Sequence, residues 1–492
     1  MKIFIDIKSA TKFIFVVFLS STAYYFANGF HNIWQLIWLA PIPLCIYALN
    51  SSFMATLFSG FIAYFIGGLA DALVYSHTKI GMRGFLQDTF EAAIVYAFLL
   101  ILFRYIAIKF KHWTAPFIFA FGWISYEFIV SSFSIHGTNV SIAYTQLHNL
   151  PIIQIASVTG IWGISFLLIL VPANIAFMYQ YFYDKKLHIK STILTLGILI
   201  ATITFGVFSM YFTYAKSEIK IGVTAIKLDP KESIAIFTNK DQTIVNSVVN
   251  RYVKNITLLA EQGAKFILLP EEIVYMQENN KNNILNQFSL VAQKNKIYVI
   301  VGLNTAEHDK KYNTAYVFLP NGKIAFRYEK QHLIPFGEEA HYTSGKILGI
   351  LQIENLGKIG VAICKDMDFI YPNLNYSQYG VGLMFVPAWD FGFDAWIHGR
   401  MALMRGIEGN FAIIRAAKDG LLTLSDSRGN IIAKAAIKDT LDNALLIGNV
   451  PLGNGHSFYS KFGNWFVWLG FIFLFMFFVI ILIRNFQKLL SK

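Results

Sequence analysis

Charge is scarce in this chain: Asp, Glu, Lys and Arg together make up 14% of its 492 residues, while 55% are hydrophobic. With a mean hydropathy of +0.50, that shortage excludes an ordinary soluble protein, because so much apolar surface cannot be hidden in a water-facing fold. Cysteine is scarcer still. Only Cys45, inside an apolar run, and Cys364 are present, so count and placement exclude a cysteine metal cluster and a disulfide framework, and no metal or cofactor is expected. A basic stripe with interleaved aromatic residues is also missing. The net charge of +12 comes from Lys and Arg scattered at the ends of apolar runs, which gives no footprint for a nucleic-acid partner.

Long apolar runs are what the chain has instead. Measured against the roughly 20 residues needed to cross a bilayer, eight stretches read as spans: Phe13 to Ala27, Ile33 to Leu49, Phe53 to Tyr75, Thr89 to Ile108, Ala115 to Phe133, Ile155 to Tyr181, Thr192 to Tyr214 and Trp465 to Ile483. The first, preceded by Lys2, Lys8 and Lys12, reads as an uncleaved signal anchor, since so many spans follow it. If the eight alternate, Lys2, Lys8 and Lys12, then Arg104, Lys109 and Lys111, then Lys185, Lys186 and Lys190, and finally Arg484, Lys488 and Lys492 all fall on one side. Lys79 and Arg83 are left on the other. The positive-inside rule makes the richer side cytoplasmic and places the region between the last two spans outside the cytoplasm. Asp71, Glu91 and Glu127 lie in or beside spans, where a charge costs about 2.5 to 3.5 kcal/mol on insertion scales, so they are expected to face protein or water.

Three domains are expected: a membrane domain over 1–215, a soluble domain over 216–455, and a closing span with its tail over 456–492. In the soluble domain, strand patterns at Lys220 to Ile226, Lys265 to Leu269 and Ile297 to Leu303 alternate with helical patterns at Asp241 to Gln262 and Asn282 to Lys294. A hairpin follows over Thr314 to Phe318 and Lys323 to Tyr328, turned by Pro320-Asn321-Gly322. Further strands read at Val381 to Val386, Phe411 to Ala417, Leu421 to Asp426 and Asn430 to Ala436, with a helix at Asp394 to Glu408. The pattern is α/β.

Chemistry concentrates at three strand ends. Lys358 to Phe369 reads KIGVAICKDMDF, a short period-two strand that meets a polar turn at Cys364. A thiol held there is either a buried structural cysteine or a nucleophile beside free backbone N–H groups that could bind an oxyanion. In KFILLPEE, Pro270 stops a strand and leaves Glu271 and Glu272 at its carboxyl end. In RYEKQHLIPFGEE, Lys330 follows a strand and Glu338 lies beyond a Pro-Phe-Gly turn. Taken with Cys364, these residues supply a base for the thiol, a cation for an oxyanion and a carboxylate to hold that cation.

Glu, Lys and Cys in that order resemble the catalytic triad of the nitrilase (carbon–nitrogen hydrolase) superfamily. LLPEE, YEKQHLIPFGEE and GVAICKD match its three segments, with Glu271, Lys330 and Cys364 at the triad positions and Glu338 at the supporting one. The resemblance implies a four-layer αββα sandwich and a thioester mechanism, with the Lys365 backbone N–H assisting Lys330 at the oxyanion. Upstream, His136 to Phe166 contains no Lys, Arg, Asp or Glu. Its Tyr-x-Gln and Pro-x-x-Gln-x-Ala-Ser-x-x-Gly-x-Trp-Gly-x-Ser-Phe elements, with Trp123 and Glu127 before it, resemble the membrane domain of the apolipoprotein N-acyltransferase family, which joins several spans to an extracytoplasmic nitrilase-like domain.

That family implies an enzyme of the bacterial inner membrane with phospholipid as acyl donor and apolipoprotein, or another amine, as acceptor. Three departures bear on the acceptor. Lys365 and Asp366 stand where the family usually has Tyr-Glu after the nucleophile, Thr224 to Phe237 lack its Gln-x-Asn segment and tryptophan, and no arginine follows Glu127. Asp366, Trp389 and Asp390 are read as substrate-side residues. Two other readings remain open, a membrane-tethered amidase and an inactive scaffold or lipid-binding module.

Overall fold

The computed structural model describes the chain except for residues 1–6, 75–80, 213–216, 239–240, 336, 391, 393–394, 438–441 and 491–492. Lys2, Tyr75, Lys79, Tyr214, Phe336, Asp394 and Lys492, named above, therefore lie outside the described residues, as do the side chains of Arg83, Arg484 and Lys488. The chain divides into two compact units. One comprises Met1–Ser134, Thr138–Phe208 and Phe462–Lys492, and the other Ile135–Gly137 and Ser209–Lys461.

The first unit is helical: α1 (Ile7–Ala27), α2 (Leu36–Leu39), α3 (Pro41–Asn50), α4 (Phe53–Val74), α5 (Gly81–Tyr105), α6 (Ala115–Phe133), α7 (Leu150–Ile153), α8 (Ala156–Thr159), α9 (Ile161–Gln180), α10 (Lys185–Phe212) and, after the second unit, α17 (Trp465–Leu490). Among the described residues seven helices are long and apolar enough to cross a membrane, one fewer than expected. The difference falls at Ile33 to Leu49. That segment breaks into α2 and α3 at the Ala40-Pro41 junction, and Leu36–Asn50 is too short to qualify. It nevertheless carries the chain back along α1. Tyr47 near its end packs edge-on against Phe13 near the α1 start, with ring centroids 6.2 Å apart, and α4 then runs parallel to α1, as the Tyr24–Tyr64 ring contact and the bond from Gly29 N to Asp71 Oδ1 at 2.9 Å require.

Glu127 shows how this unit handles a buried carboxylate. Fully enclosed, it accepts from Trp123 Nε1 at 3.1 Å, Ser141 Oγ at 3.0 Å and Ile142 N at 2.9 Å. These donors compensate its removal from water, and they explain how the position is satisfied without a following arginine.

The second unit contains β1 (Glu218–Ile226), α11 (Pro230–Thr238), α12 (Gln242–Glu261), β2 (Phe266–Leu268), β3 (Tyr275–Met276), α13 (Glu278–Asn295), β4 (Tyr298–Glu307), β5 (Lys310–Phe318), β6 (Ile324–Glu329), β7 (Gly349–Ile353), β8 (Gly357–Val361), α14 (Asn373–Gln378), β9 (Val381–Trp389), α15 (Ala395–Gly409), β10 (Ala412–Lys418), β11 (Leu421–Ser425), β12 (Ile431–Ala436), β13 (Asn443–Pro451) and α16 (Phe458–Phe462). One sheet runs β13-β1-β2-β4-β5-β6, with β3 beside β4, and the other runs β12-β11-β10-β9-β8-β7.

Ile221, Phe266, Leu268 and Val317 of the first sheet pack against Ile359, Val361, Phe385 and Ile414 of the second. The outer face of the first sheet buries against Val248, Tyr252 and Ile256 of α12 and Phe288 of α13. That of the second buries against Tyr376 of α14 and Ala402 of α15. The result is a four-layer αββα arrangement. Local chemistry sets the element ends: the Asp241 side chain accepts from Thr243 N and Ile244 N at the start of α12, an N-cap that satisfies two otherwise unpaired donors.

Candidate active site

Strands β1, β2 and β4 run parallel, as do β8, β9 and β10, and in each sheet the chain leaves the carboxyl ends carrying charged side chains. After β2, Leu269 N still donates to Ile300 O at 2.9 Å. Pro270 then ends the pairing, and Glu271 N donates to Ala388 O at 3.3 Å in the opposite sheet. The backbone at Glu271 lies so close to Gly302 that a Cβ there would collide with Pro270 O and Glu271 Cα. Only glycine admits the Glu271 turn at this depth.

Lys330 follows β6 directly. Its backbone is held from both directions, with Lys330 N donating to Asn313 O at 2.9 Å and Gly345 N donating to Lys330 O at 2.8 Å. The side chain is 1% exposed, and its Nζ lies 2.7 Å from Glu271 Oε1 and 2.8 Å from Glu338 Oε2. Burial works against this ammonium, but Glu271 and Glu338 outweigh it and hold the Lys330 pKa well above its ordinary value. Glu338 is fixed in turn by Ile334 N at 2.8 Å. Asn313, at 1% exposure, directs Nδ2 toward Glu271 Oε1 at 2.6 Å, Glu338 Oε1 at 2.7 Å and Glu272 Oε1 at 3.2 Å. Burial raises the pKa of Glu271 against the opposing pull of Lys330, and burial with the Glu271 and Glu338 charges raises that of Glu272 to about 8.

β8 stops at Val361, three residues short of the cysteine at which the strand was expected to end. Cys364 opens a 3-10 turn over Cys364–Asp368 with φ +44°, left-handed backbone that a non-glycine residue adopts only when its surroundings impose it. Its Sγ donates to Trp389 O at 3.7 Å. Burial and then the Glu271 charge push the thiol pKa well up, while Lys330 and Arg415 pull it back. At rest the sulfur therefore carries its proton, and a base is needed to make it a nucleophile.

The structure brings Glu271, Lys330 and Glu338 into direct contact and sets Cys364 within reach of their charges. It assigns different surroundings to two residues expected on the substrate side. Asp366 is fully buried. Its Oδ1 accepts from Gln331 N at 3.1 Å and His332 N at 2.8 Å and lies 3.2 Å from His332 Nδ1, and its Oδ2 accepts from Tyr328 Oη at 2.8 Å and Ile363 N at 3.0 Å. Asp390 is fully buried as well, held by both arms of Arg415 at 2.5 and 2.7 Å. Both carboxylates are consumed by protein partners.

Trp389 remains partly exposed, its ring stacked on Phe237 with centroids 5.3 Å apart. Lys365 is mostly buried, its Nζ 3.8 Å from Asp368 Oδ2. Gly137, at φ +58°, packs so tightly on Asp368 that a Cβ would run into its carbonyl, which places Ile135–Gly137 against the cysteine turn. Asn313 and Arg415 contact the carboxylates of this region, and Lys418 lies beside them; none of the three was singled out as a site residue from the sequence, and Glu272 was read there only as the second carboxylate of LLPEE.

Comparison with known proteins follows the same division of the chain. The apolipoprotein N-acyltransferase N-terminal domain matches residues 20–174, and the carbon-nitrogen hydrolase family matches residues 236–453. The chain is similar to apolipoprotein N-acyltransferase of Geobacter metallireducens, 27% identical over 368 residues and covering 67% of each protein. It is also similar to apolipoprotein N-acyltransferase 1 of Treponema denticola, 25% identical over 537 residues and covering 96% of this chain and 95% of that one. Among solved structures, an amidase from Nesterenkonia aligns with 48% of this chain and 91% of its own at 18% identity and a TM-score of 0.40. With both family models matched in order and relatives of that name running over most of its length, the chain carries an apolipoprotein N-acyltransferase N-terminal domain followed by a carbon-nitrogen hydrolase domain.

Proposed function

We propose that this protein moves a fatty acyl group from a membrane phospholipid, through a thioester on Cys364, to an amine such as the amino terminus of an apolipoprotein. The observation that carries the reading is the Lys330 ammonium, 1% exposed and bridged between Glu271 and Glu338, beside a cysteine held in left-handed backbone. Glu271 takes the thiol proton as Cys364 attacks the ester carbonyl. Lys330 and the Lys365 backbone N–H stabilise the tetrahedral oxyanion, and Glu338 orients Lys330. Collapse returns the proton from Glu271 to the departing lysophospholipid alcohol and leaves the thioester. In the second half, the amine attacks the same carbonyl, Cys364 departs, and the proton lost by nitrogen reaches sulfur through Glu271.

The amino-terminal match and the apolar helices favour an acyl donor drawn from lipid. The basic residues at helix ends favour the bacterial inner membrane, with the catalytic unit outside the cytoplasm. A membrane-tethered amidase, with water as acceptor, is the competing reading, supported by the charged Lys365–Asp368 turn next to the nucleophile.

Intact mass of the purified protein incubated with phospholipid alone separates the two. An acyl adduct on Cys364 that persists until an amine is added supports transfer. Absence of the adduct, together with rapid turnover of small amides, would establish the hydrolase instead.

A further inference from the structure

Acyl transfer to an amine has a proton problem that the triad does not solve. An amino terminus has a pKa of about 7.7 to 8.0 and arrives at neutral pH largely as an ammonium, which has no lone pair to attack with. Glu271 carries the one proton that passes from nitrogen to sulfur during transfer. The additional ammonium proton needs an acceptor of its own.

Lys418, at the end of β10, lies beside the site and has no part in the triad. It is 3% exposed. Its Nζ donates to the Glu272 carbonyl at 3.3 Å and sits 4.4 Å from the Trp389 ring centroid and 4.8 Å from that of Phe237. Among the described residues, no carboxylate lies within ion-pairing distance of it. Trp389 links it to the chemistry, since the carbonyl of that residue contacts Cys364 Sγ while its ring covers Lys418.

The titratable groups that face Lys418 are Glu272 and Glu271 from the turn after β2 and Asp419 from its own turn. α11 and β9 present the rings of Phe237 and Trp389. Burial outweighs those carboxylates and brings the Lys418 pKa down to about 8, in the range of the amine it would serve, which is where proton transfer is efficient.

On the acyl-transfer reading above, we infer that Lys418 is the proton acceptor for the incoming ammonium. The fraction of Lys418 that is neutral at the working pH takes one proton on Nζ from the R–NH3+ group. The free amine attacks the thioester carbonyl, the C–N bond forms, the C–S bond breaks, and Glu271 passes the second nitrogen proton to the Cys364 thiolate. The products are the amide and the thiol, and the Lys418 ammonium then loses its proton to water.

The test uses full-length wild type, Lys418→Met and Lys418→Arg. Each is charged with phospholipid to the thioester, scored by intact mass, and then mixed with a short peptide bearing a free amino terminus between pH 6.5 and 9.5. Normal charging of all three is expected. At pH 7 both variants should transfer more slowly by at least about tenfold, within or below the usual span of general-base effects. The deficit should close toward pH 9.5, where the peptide arrives neutral, and should be absent with hydroxylamine, which is already neutral at pH 7.

A deficit equal at every pH, restoration of the pH 7 rate by arginine, failure of both variants to charge, or no deficit at all would each overturn the assignment. Failure of the wild type itself to form a thioester would instead remove the acyl-transfer reading, and that outcome is scored before any peptide is added.

Discussion

The Asp366 carboxylate accepts from the backbone N–H of His332 at 2.8 Å, which fixes the residue two places after Cys364 to the residue two places after Lys330. Tyr328, two places before Lys330, donates to the same carboxylate at 2.8 Å. A single buried side chain thus sets the distance between the cysteine turn and the lysine strand. Asparagine at this position keeps the volume but turns one of two acceptors into a donor facing donors. A hydrogen bond to a charged group is worth about 1.5 to 3 kcal/mol, so Asp366→Asn should lower the melting temperature by several degrees and reduce thioester formation more than tenfold. A charging rate equal to wild type would show that the bracket does not position the nucleophile.

Lys330 and Cys364 should separate stability from activity. Removing the cation leaves Glu271 and Glu338 buried together, and breaking a buried pair from one side costs about 3 to 5 kcal/mol. Lys330→Met is therefore expected to be both inactive and clearly destabilised. Cys364→Ser makes a smaller change at a residue whose Sγ makes a long contact of 3.7 Å to Trp389 O, and should abolish turnover with an unchanged unfolding midpoint. Glu271→Gln should be as inactive as either, since members of one catalytic unit are not additive. Turnover in Cys364→Ser would remove the mechanism.

The three residues proposed as the triad were legible because each sits at a break the chain writes locally. Pro270 ends the pairing after β2, Lys330 follows β6 directly, and a polar turn begins where the apolar run reaches Cys364. What surrounds the triad was not legible, because it depends on pairings far apart in the chain. Asn313 reads as an ordinary strand residue until β5 lies beside both carboxylate turns. Asp366 looks like a polar wall until its donors arrive from the segment around Lys330. Strand β13 pairs with β1 across the whole soluble unit, from Glu218 opposite Pro451 to Ile226 opposite Asn443, and no local pattern announces it.

Glu272 gives the unit a pH dependence of stability with a defined sign. Its folded pKa of about 8 lies above the ordinary carboxylate value because of burial and the neighbouring Glu271 and Glu338 charges. Between about pH 4.5 and 8 the unfolded chain has already released this proton while the folded protein retains it. Stability from this group is therefore complete at low pH and is lost as pH rises through that interval. Glu272→Gln, which is neutral in both states, should gain melting temperature relative to wild type progressively from pH 5 to pH 8. A difference that stays constant across that range, or shrinks, would contradict the assignment.

The last prediction concerns which side of the membrane holds the soluble unit, and α2–α3 decides how the crossings are counted. At about 1.5 Å per residue, Leu36–Asn50 reaches roughly 22 Å, short of a 30 Å core, yet it returns the chain from the end of α1 to its beginning. Ser51, just past α3, accepts through its carbonyl from Arg104 Nη2 at 2.7 Å near the end of α5, and Asn50 Nδ2 donates to Gln180 Oε1 at 2.9 Å at the end of α9. One face of the helical unit therefore gathers the ends of α3, α5 and α9 together with Arg104, Lys109, Lys111 and Lys185, and by the positive-inside rule this is the face expected to be cytoplasmic. The segment from Ser217 to Leu452 follows α10, which starts from this face at Lys185 and leads away from it. Alkaline phosphatase fused at Asn321 should be active and fused at Lys185 inactive, because the enzyme folds only outside the cytoplasm. An inactive fusion at Asn321 paired with an active one at Lys185 would invert the topology and with it the compartment in which Cys364 works.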